Sequence, residues 1–179
     1  MSNHEPLIQL VDKDDVPLRG GTMDEAQLHG EWHRVVRIMV FDTIRKLYLL
    51  QKVPTNPYYN SGHWNTSASG HVDVGETYEA AAHRELAEEM GLSGLELEEV
   101  EQFASEEVVG ERTYRRHNKT FVGQITSDRI TLNPNPNEVA DILWISRVGL
   151  LSMRDRGVEP MTGGLKRFAG SLEGDIDGN

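Results

Sequence analysis

The stretch 70–92, GHVDVGETYEAAAHRELAEEMGL, restricts the possible folds more than any other part of the chain. From Tyr78 to Met90 it is dominated by Ala, Leu, Glu, Arg and Met with neither proline nor glycine, which predicts a strong helix. Glu76 and Thr77 supply an acidic, hydroxyl-bearing start, and Gly91 supplies a left-handed stop. At about 100° per residue, Glu85, Glu88 and Glu89 fall within roughly one 100° arc. Tyr78, Ala82, Leu86 and Met90 form the adjoining stripe that faces the core.

Three carboxylates on one arc repel each other. At about 4 Å and an effective dielectric near 20, each like-charge contact costs on the order of 4 kcal/mol. A helix wholly in water relieves this by splaying the side chains; taken alone, the glutamates would describe such a solvated face. A partly enclosed helix must hold a proton or bind a divalent cation. Oxygen-only ligands suit Mg²⁺ or Mn²⁺ rather than zinc.

The helix keeps informative company. Gly70 and Gly75 bracket His71-Val72-Asp73-Val74 in what reads as a glycine-bearing loop, and Arg84 sits beside the carboxylates. The pattern is Gly, five residues, Glu, seven residues, then Arg-Glu-apolar-x-Glu-Glu-x-Gly-apolar. Gly70, Glu76, Arg84, Glu85, Leu86, Glu88, Glu89, Gly91 and Leu92 fill it completely. This resembles the Nudix hydrolase family. The resemblance implies an α/β (α+β) fold, an α/β/α sandwich around a mixed sheet. It also implies metal ligands at Glu85, Glu88 and Glu89, an extra backbone carbonyl ligand at Ser69 or Gly70, and assistance from Glu76, directly or through water. Arg84 cannot bind a cation; its expected role is to pair with a glutamate and fix the rotamers of the others.

At 179 residues the chain makes one ordinary domain, expected over 1–172 with its core at about 30–150 and a loose tail over 173–179. It has no cysteine, hence no disulfide, thiolate metal site or thiol nucleophile. The first residues lack a basic region followed by an apolar run, and no later stretch is apolar enough to span a bilayer, so a soluble, cytoplasmic protein is expected. A net charge of −11 argues against nucleic-acid partners and means that a phosphate-bearing substrate must be drawn in by a metal or a local basic patch. The expected partner is a small-molecule diphosphate, with no nucleic acid and no membrane; a homodimer is compatible.

Along the chain, Leu7 to Val11 and Val16 to Leu18 read as a hairpin, and Asp24 to His29 as one or two helical turns. Trp32 to Phe41 and Leu47 to Val53 read as strands, Pro54 to Gly62 as loop, and Trp64 to Ser69 as the lead into the glycine loop. Leu95 to Val100 and Phe103 to Val109 look extended, although six glutamates blur the period. Thr113 to Ile125, Ile130 to Leu132 and Val139 to Ile145 read as strands. Ser146 caps a helix through Met153, and Met161 to Leu172 reads as another.

A narrower resemblance covers most of residues 30–147. His33-Arg34, Leu49-Leu50-Gln51-Lys52, Trp64 to His71, Asn137-Glu138-Val139-Ala140 and Trp144 look like isopentenyl diphosphate isomerase and its hydrolase relatives. The isomerase needs a cysteine directly before the Gly-His pair, where Ser69 stands, and a serine hydroxyl cannot replace a thiol there without an activating partner. It also carries a Glu-Asn-Glu metal segment in a later strand, where this chain has the basic run Arg115-Arg116-His117-Asn118-Lys119. Both departures favour the hydrolases.

His33 and His71 match histidines that bind metal in the isomerase; with the glutamates gone they read as pocket-lining or structural. Lys52, Arg115 and Arg116 are candidate phosphate contacts, and Tyr58, Tyr59, Trp64 and Tyr114 are candidates to stack on a base or sugar, with core or lid packing as the competing reading. The general base is expected among the motif glutamates or among Glu106, Glu107, Glu111 and Glu138. The function expected is metal-dependent hydrolysis of a diphosphate linkage, with an isopentenyl-diphosphate isomerase and a catalytically silent, nucleotide-sensing domain as the alternatives.

Overall fold

Trp32–Asp42, eleven residues in which Val, Ile, Met and Phe are interrupted by His33, Arg34 and Arg37, forms the strand about which the sheet is assembled. The computed structural model describes residues 7–55, 60–126 and 130–175, so Tyr58 and Tyr59 lie outside the described residues. In order the elements are β1 (Ile8–Val11), β2 (Pro17–Gly21), α1 (Met23–His29), β3 (Trp32–Asp42), β4 (Leu47–Lys52), β5 (Trp64–Asn65) and β6 (Ala68–His71). Then come α2 (Tyr78–Met90), β7 (Leu97–Val109), β8 (Arg112–Ile125), β9 (Asp141–Ser146), α3 (Arg147–Arg156) and α4 (Gly163–Ser171).

One edge of β3 pairs in parallel with β8 over its whole length, from Trp32↔Arg115 to Asp42↔Ile125. The other edge takes β1, β6 and β4 in succession, all antiparallel. β7 then adds to β8 and β9 to β4, again antiparallel, so the sheet is mixed. Alternation along β3 sends Val36, Ile38 and Val40 into one core with Ala82, Leu86 and Met90 of α2. Met39 points the other way, into a second core with Leu150 of α3 and Leu165 and Phe168 of α4. Helices therefore cover both faces, and the expected α/β/α sandwich holds.

Three expectations need correction. Gly70 and His71 belong to β6 rather than to a loop, and they pair with Val36 and Val35. The two stretches around Val100 are one strand, β7, with a register shift between Glu99 and Glu101; its partner β8 is long enough to hold both parts. Residues 130–132 are not a strand: their apolar side chains pack against the α2 core while the chain turns to close the helix end. There the Asn133 and Asn135 amides donate to the carbonyls of Met90 and Glu89 at 3.0 and 2.9 Å. Among the described residues no helix is long and apolar enough to cross a membrane.

Candidate active site

α2 begins and ends as its sequence requires. The Thr77 hydroxyl accepts the Ala80 amide at 3.1 Å, and Gly91 adopts a left-handed φ of 68°. The helix lies across β6, and both Glu85 and Glu89 are buried against it. Gly70 is a steric requirement: a Cβ there would stand 1.9 Å from Glu85 Oε1. Glu89 is held from the sheet side, accepting the Ser69 amide at 2.9 Å and Gln51 Nε2 at 2.8 Å.

Arg84 does more than pair with one glutamate. It grips both oxygens of Glu76 at 3.0 Å, Glu85 at 2.8 Å and Glu88 at 3.2 Å. Its remaining donor reaches the His71 carbonyl at 2.9 Å, which ties helix, loop and strand together. Hydrogen bonding to Glu76 raises the guanidinium pKa further, so the clamp is permanently charged.

Burial sets the electrostatics of the pair. It pushes Glu85 up to about 7, against the pull of Arg84. It pushes Glu89 up to about 8, although the Ser69 amide and Gln51 favour its ionised form. Among the described residues no three acidic or histidine side chains already form a cation cage. The donor set nevertheless fits a hard cation: two buried carboxylates whose negative charge has no full counterbalance, with the exposed Glu88 beside them, all oxygen donors.

Across the same strand, Ser69 and His71 point away from Gly70, toward the α4 side. The His71 ring lies 5.3 Å from that of His33, which is fully buried. His33 Nδ1 contacts the Glu31 carbonyl at 3.1 Å, while its Nε2 is buried without a partner among the described residues. Burial pushes His33 down to about 4 and His71 down to about 3. Arg116, in register with His33, adds to both shifts.

On its α4 side, β6 is joined to α4 by a chain of hydrogen bonds. Ser69 Oγ accepts from Asn65 Nδ2 at 2.7 Å, and Asn65 Oδ1 accepts from the Thr162 hydroxyl at 2.9 Å. Thr162 in turn caps α4 by accepting the Leu165 amide at 3.2 Å.

These shifts make a pH prediction for the metal-free protein. A carboxyl raised above its ordinary 4.5 burdens the fold as pH rises, fully so above about 8. A histidine depressed below its ordinary 6.5 burdens the fold as pH falls. Stability is therefore expected to peak between about pH 4.5 and about pH 6.5 and to decline toward about pH 8.5. Scanning calorimetry in EDTA checks this, and Glu85→Gln should flatten the alkaline limb.

A model of the NUDIX domain matches residues 31–163. The chain belongs to the Nudix family. It falls in the isopentenyl-diphosphate-isomerase-like subgroup. Isopentenyl-diphosphate Delta-isomerase 2 of Photorhabdus laumondii is 33% identical over 171 residues, 94% of this chain and 93% of the relative. Among solved structures, DR0079 from Deinococcus radiodurans superposes with a TM-score of 0.74 at 20% identity, covering 92% of this chain and 98% of that one. The dihydroneopterin triphosphate pyrophosphohydrolase of E. coli gives 0.61 at 15%, covering 78% and 93%.

Within this Nudix fold the remaining site candidates separate. Glu138 is exposed but close enough to raise both Glu85 and Glu89 electrostatically. Glu106 is paired with Arg115 at 2.8 Å, Glu107 is exposed on the same strand, and Glu111 sits at the β7–β8 turn. Arg115 also donates to the Gly30 carbonyl and projects from the face of β8 opposite Arg116, so it does not lie on the side of the sheet that carries His33. Trp64 is a core residue of the α4 face, not a stacking platform; its indole donates to Glu159, and Lys52 covers its ring at 5.2 Å. Tyr114 is likewise buried, beneath Arg116.

Sequence reasoning missed Gln51 and Arg37. Gln51 was visible as one amide in an apolar strand; it is 2% exposed, and its Oε1 has no partner among the described residues. Arg37 was visible as a cation among Val, Ile and Met, and it turns inward.

Proposed function

We propose that this chain hydrolyses the diphosphate linkage of a nucleoside diphosphate derivative or another organic diphosphate, with Mg²⁺ or Mn²⁺ as cofactor. The observation that carries this reading is the buried Glu85–Glu89 pair, pressed over Gly70 and held by Arg84, Gln51 and the Ser69 amide. Glu85, Glu88 and Glu89 would hold the cation, with a carbonyl at Ser69 or Gly70 and with Glu76 in support. When bound, it would neutralise phosphate oxygens and acidify a water. Arg84 keeps the carboxylates in fixed rotamers, and α2 packing excludes bulk water from Glu85 and Glu89. Glu138 is the best-placed acceptor outside the helix for the proton of the attacking water as the P–O anhydride bond breaks.

A second reading, isopentenyl-diphosphate isomerase, is favoured by the name of the Photorhabdus laumondii relative. Against it stand Ser69, whose hydroxyl is engaged with Asn65, and Arg116, a cation beside the two histidines. A nucleotide-sensing domain without turnover would have little use for the complete glutamate set.

Products should be followed after incubation with Mg²⁺ or Mn²⁺ and a panel of nucleoside diphosphate derivatives, dinucleotides and isopentenyl diphosphate. Hydrolysis of at least one phosphoanhydride is expected, with no isomer formed. Isomerisation by the wild type would overturn the hydrolase reading, and turnover of nothing would favour the sensor.

A further inference from the structure

Gln51 brings an amide into the apolar strand β4, between Leu50 and Lys52. Alternation puts it on the same face as Leu49, which packs in the α2 core. Its Nε2 donates to Glu89 Oε2 at 2.8 Å, and the Ser69 amide donates to that same oxygen at 2.9 Å. Two donors from the sheet thus fix one oxygen of one carboxylate.

That grip uses only half of the amide. Gln51 Oε1 is buried and has no hydrogen-bond partner among the described residues. Turning the amide over does not mend this, because it sets Gln51 Oε1 against Glu89 Oε2 and leaves the NH₂ group without an acceptor. An apolar side chain would avoid the cost, and Leu49 and Leu50 show that the strand accepts one. An amide kept here at that cost has a use for its oxygen.

What Oε1 lacks is a donor, and the charged groups around Glu89 are themselves acceptors. Glu85 and Glu138 both act on Glu89 electrostatically. The loop that carries Glu138 is fastened on either side of this spot. The Asn135 amide donates to the Glu89 carbonyl at 2.9 Å, and the Ala140 amide donates to the Lys52 carbonyl, beside Gln51, at 2.9 Å. Asn135 Nδ2 holds Glu138 Oε1 at 3.0 Å. The group that suits these surroundings is small and supplies protons. A water on a hard cation does so: its oxygen faces the metal and both its protons point outward, so it needs acceptors alone.

We propose that Gln51 is a positioning residue for the reacting water: Nε2 fixes Glu89, and Oε1 accepts one proton of a water held at the carboxylate pair when the cation is bound. A neutral amide is too weak a base to remove that proton, so it orients the water and leaves proton removal to a carboxylate such as Glu138. The proposal rests on the hydrolase reading only in making that water the nucleophile.

The test is deuterium electron–nuclear double resonance on the full chain loaded with Mn²⁺ in D₂O, alongside steady-state assays of whichever diphosphate is hydrolysed. Wild type should show an ordered water deuteron whose quadrupole coupling is lowered by a hydrogen bond. Gln51→Met should lose that deuteron and lower kcat by about 10–100-fold while still binding Mn²⁺. Gln51→Glu keeps an oxygen but not the donor to Glu89, and it should retain the deuteron. If Gln51→Met does not fold by circular dichroism, Gln51→Leu takes its place. No ordered deuteron in the wild type, its survival in the apolar variant, or its equal loss in Gln51→Glu would each overturn the proposal; the last would reduce Gln51 to a prop for Glu89. The expected deuteron pattern without hydrolysis of any diphosphate would instead sink the hydrolase reading and leave the water contact standing.

Discussion

Glu89→Gln is expected to abolish hydrolysis, lowering kcat by about 10³-fold or more, while leaving the fold in place. The amide oxygen can still accept from the Ser69 amide and from Gln51, which hold the native carboxylate at 2.9 and 2.8 Å. What is lost is a charge, and in the metal-free protein that charge is a burden, because burial raises Glu89 to about 8. The variant should therefore melt several degrees above the wild type in EDTA at about pH 9 and lose that advantage near about pH 5. Steady-state assays and paired melting curves at the two pH values give both readouts. A variant that was inactive because it misfolded would melt lower at every pH.

Gly70→Ala should have the second-largest effect. The new methyl group would stand 1.9 Å from Glu85 Oε1 and 2.1 Å from Cδ, so one of the two must move. If the carboxylate swings away, it leaves Arg84; if β6 shifts, its pairing with Val36 suffers. A stability loss of about 1–3 kcal/mol and a fall in activity of about 10²-fold are expected. Gly75→Ala is the contrast. Gly75 has open space around its Cβ position but a φ of 80°, so alanine there should cost about 1 kcal/mol of stability and leave Glu85 in place. Denaturant melts and initial rates of the two variants separate a steric role from a conformational one.

Much of the first site could be read from the chain because it is local. Helix composition, the Thr77 and Gly91 caps and the spacing of Glu85, Glu88 and Glu89 all lie within α2, where 3.6-residue periodicity fixes their arrangement. The role of Arg84 was only half legible, since its hold on Glu76 and the His71 carbonyl depends on how the preceding segment folds back. Gly70 looked like a loop residue because glycine usually signals a turn; here it is a strand residue selected by close approach of a carboxylate.

The side chains on the α4 side of β6 come from β3, β6, β8 and α4, which are far apart in sequence, and no local pattern brings them together. A period of two in WHRVVRIMVF says that side chains alternate, but not which face is enclosed. Arg34 emerges on one side to pair with Asp15 at 2.6 Å, while Arg37 emerges on the other and meets α4. Trp64 stayed open for the same reason: the sequence allowed either a stacking surface or core packing, and the fold puts it in a core cluster with Met161 and Phe168.

All of this depends on whether Glu85 and Glu89 sit in the interior to share a hard cation. Titrating the protein with Mn²⁺ under electron paramagnetic resonance asks that question without a substrate. Saturable binding by the wild type that is lost in both Glu85→Gln and Glu89→Gln is the predicted result. Undiminished binding by the two variants, or no binding by the wild type, would contradict it.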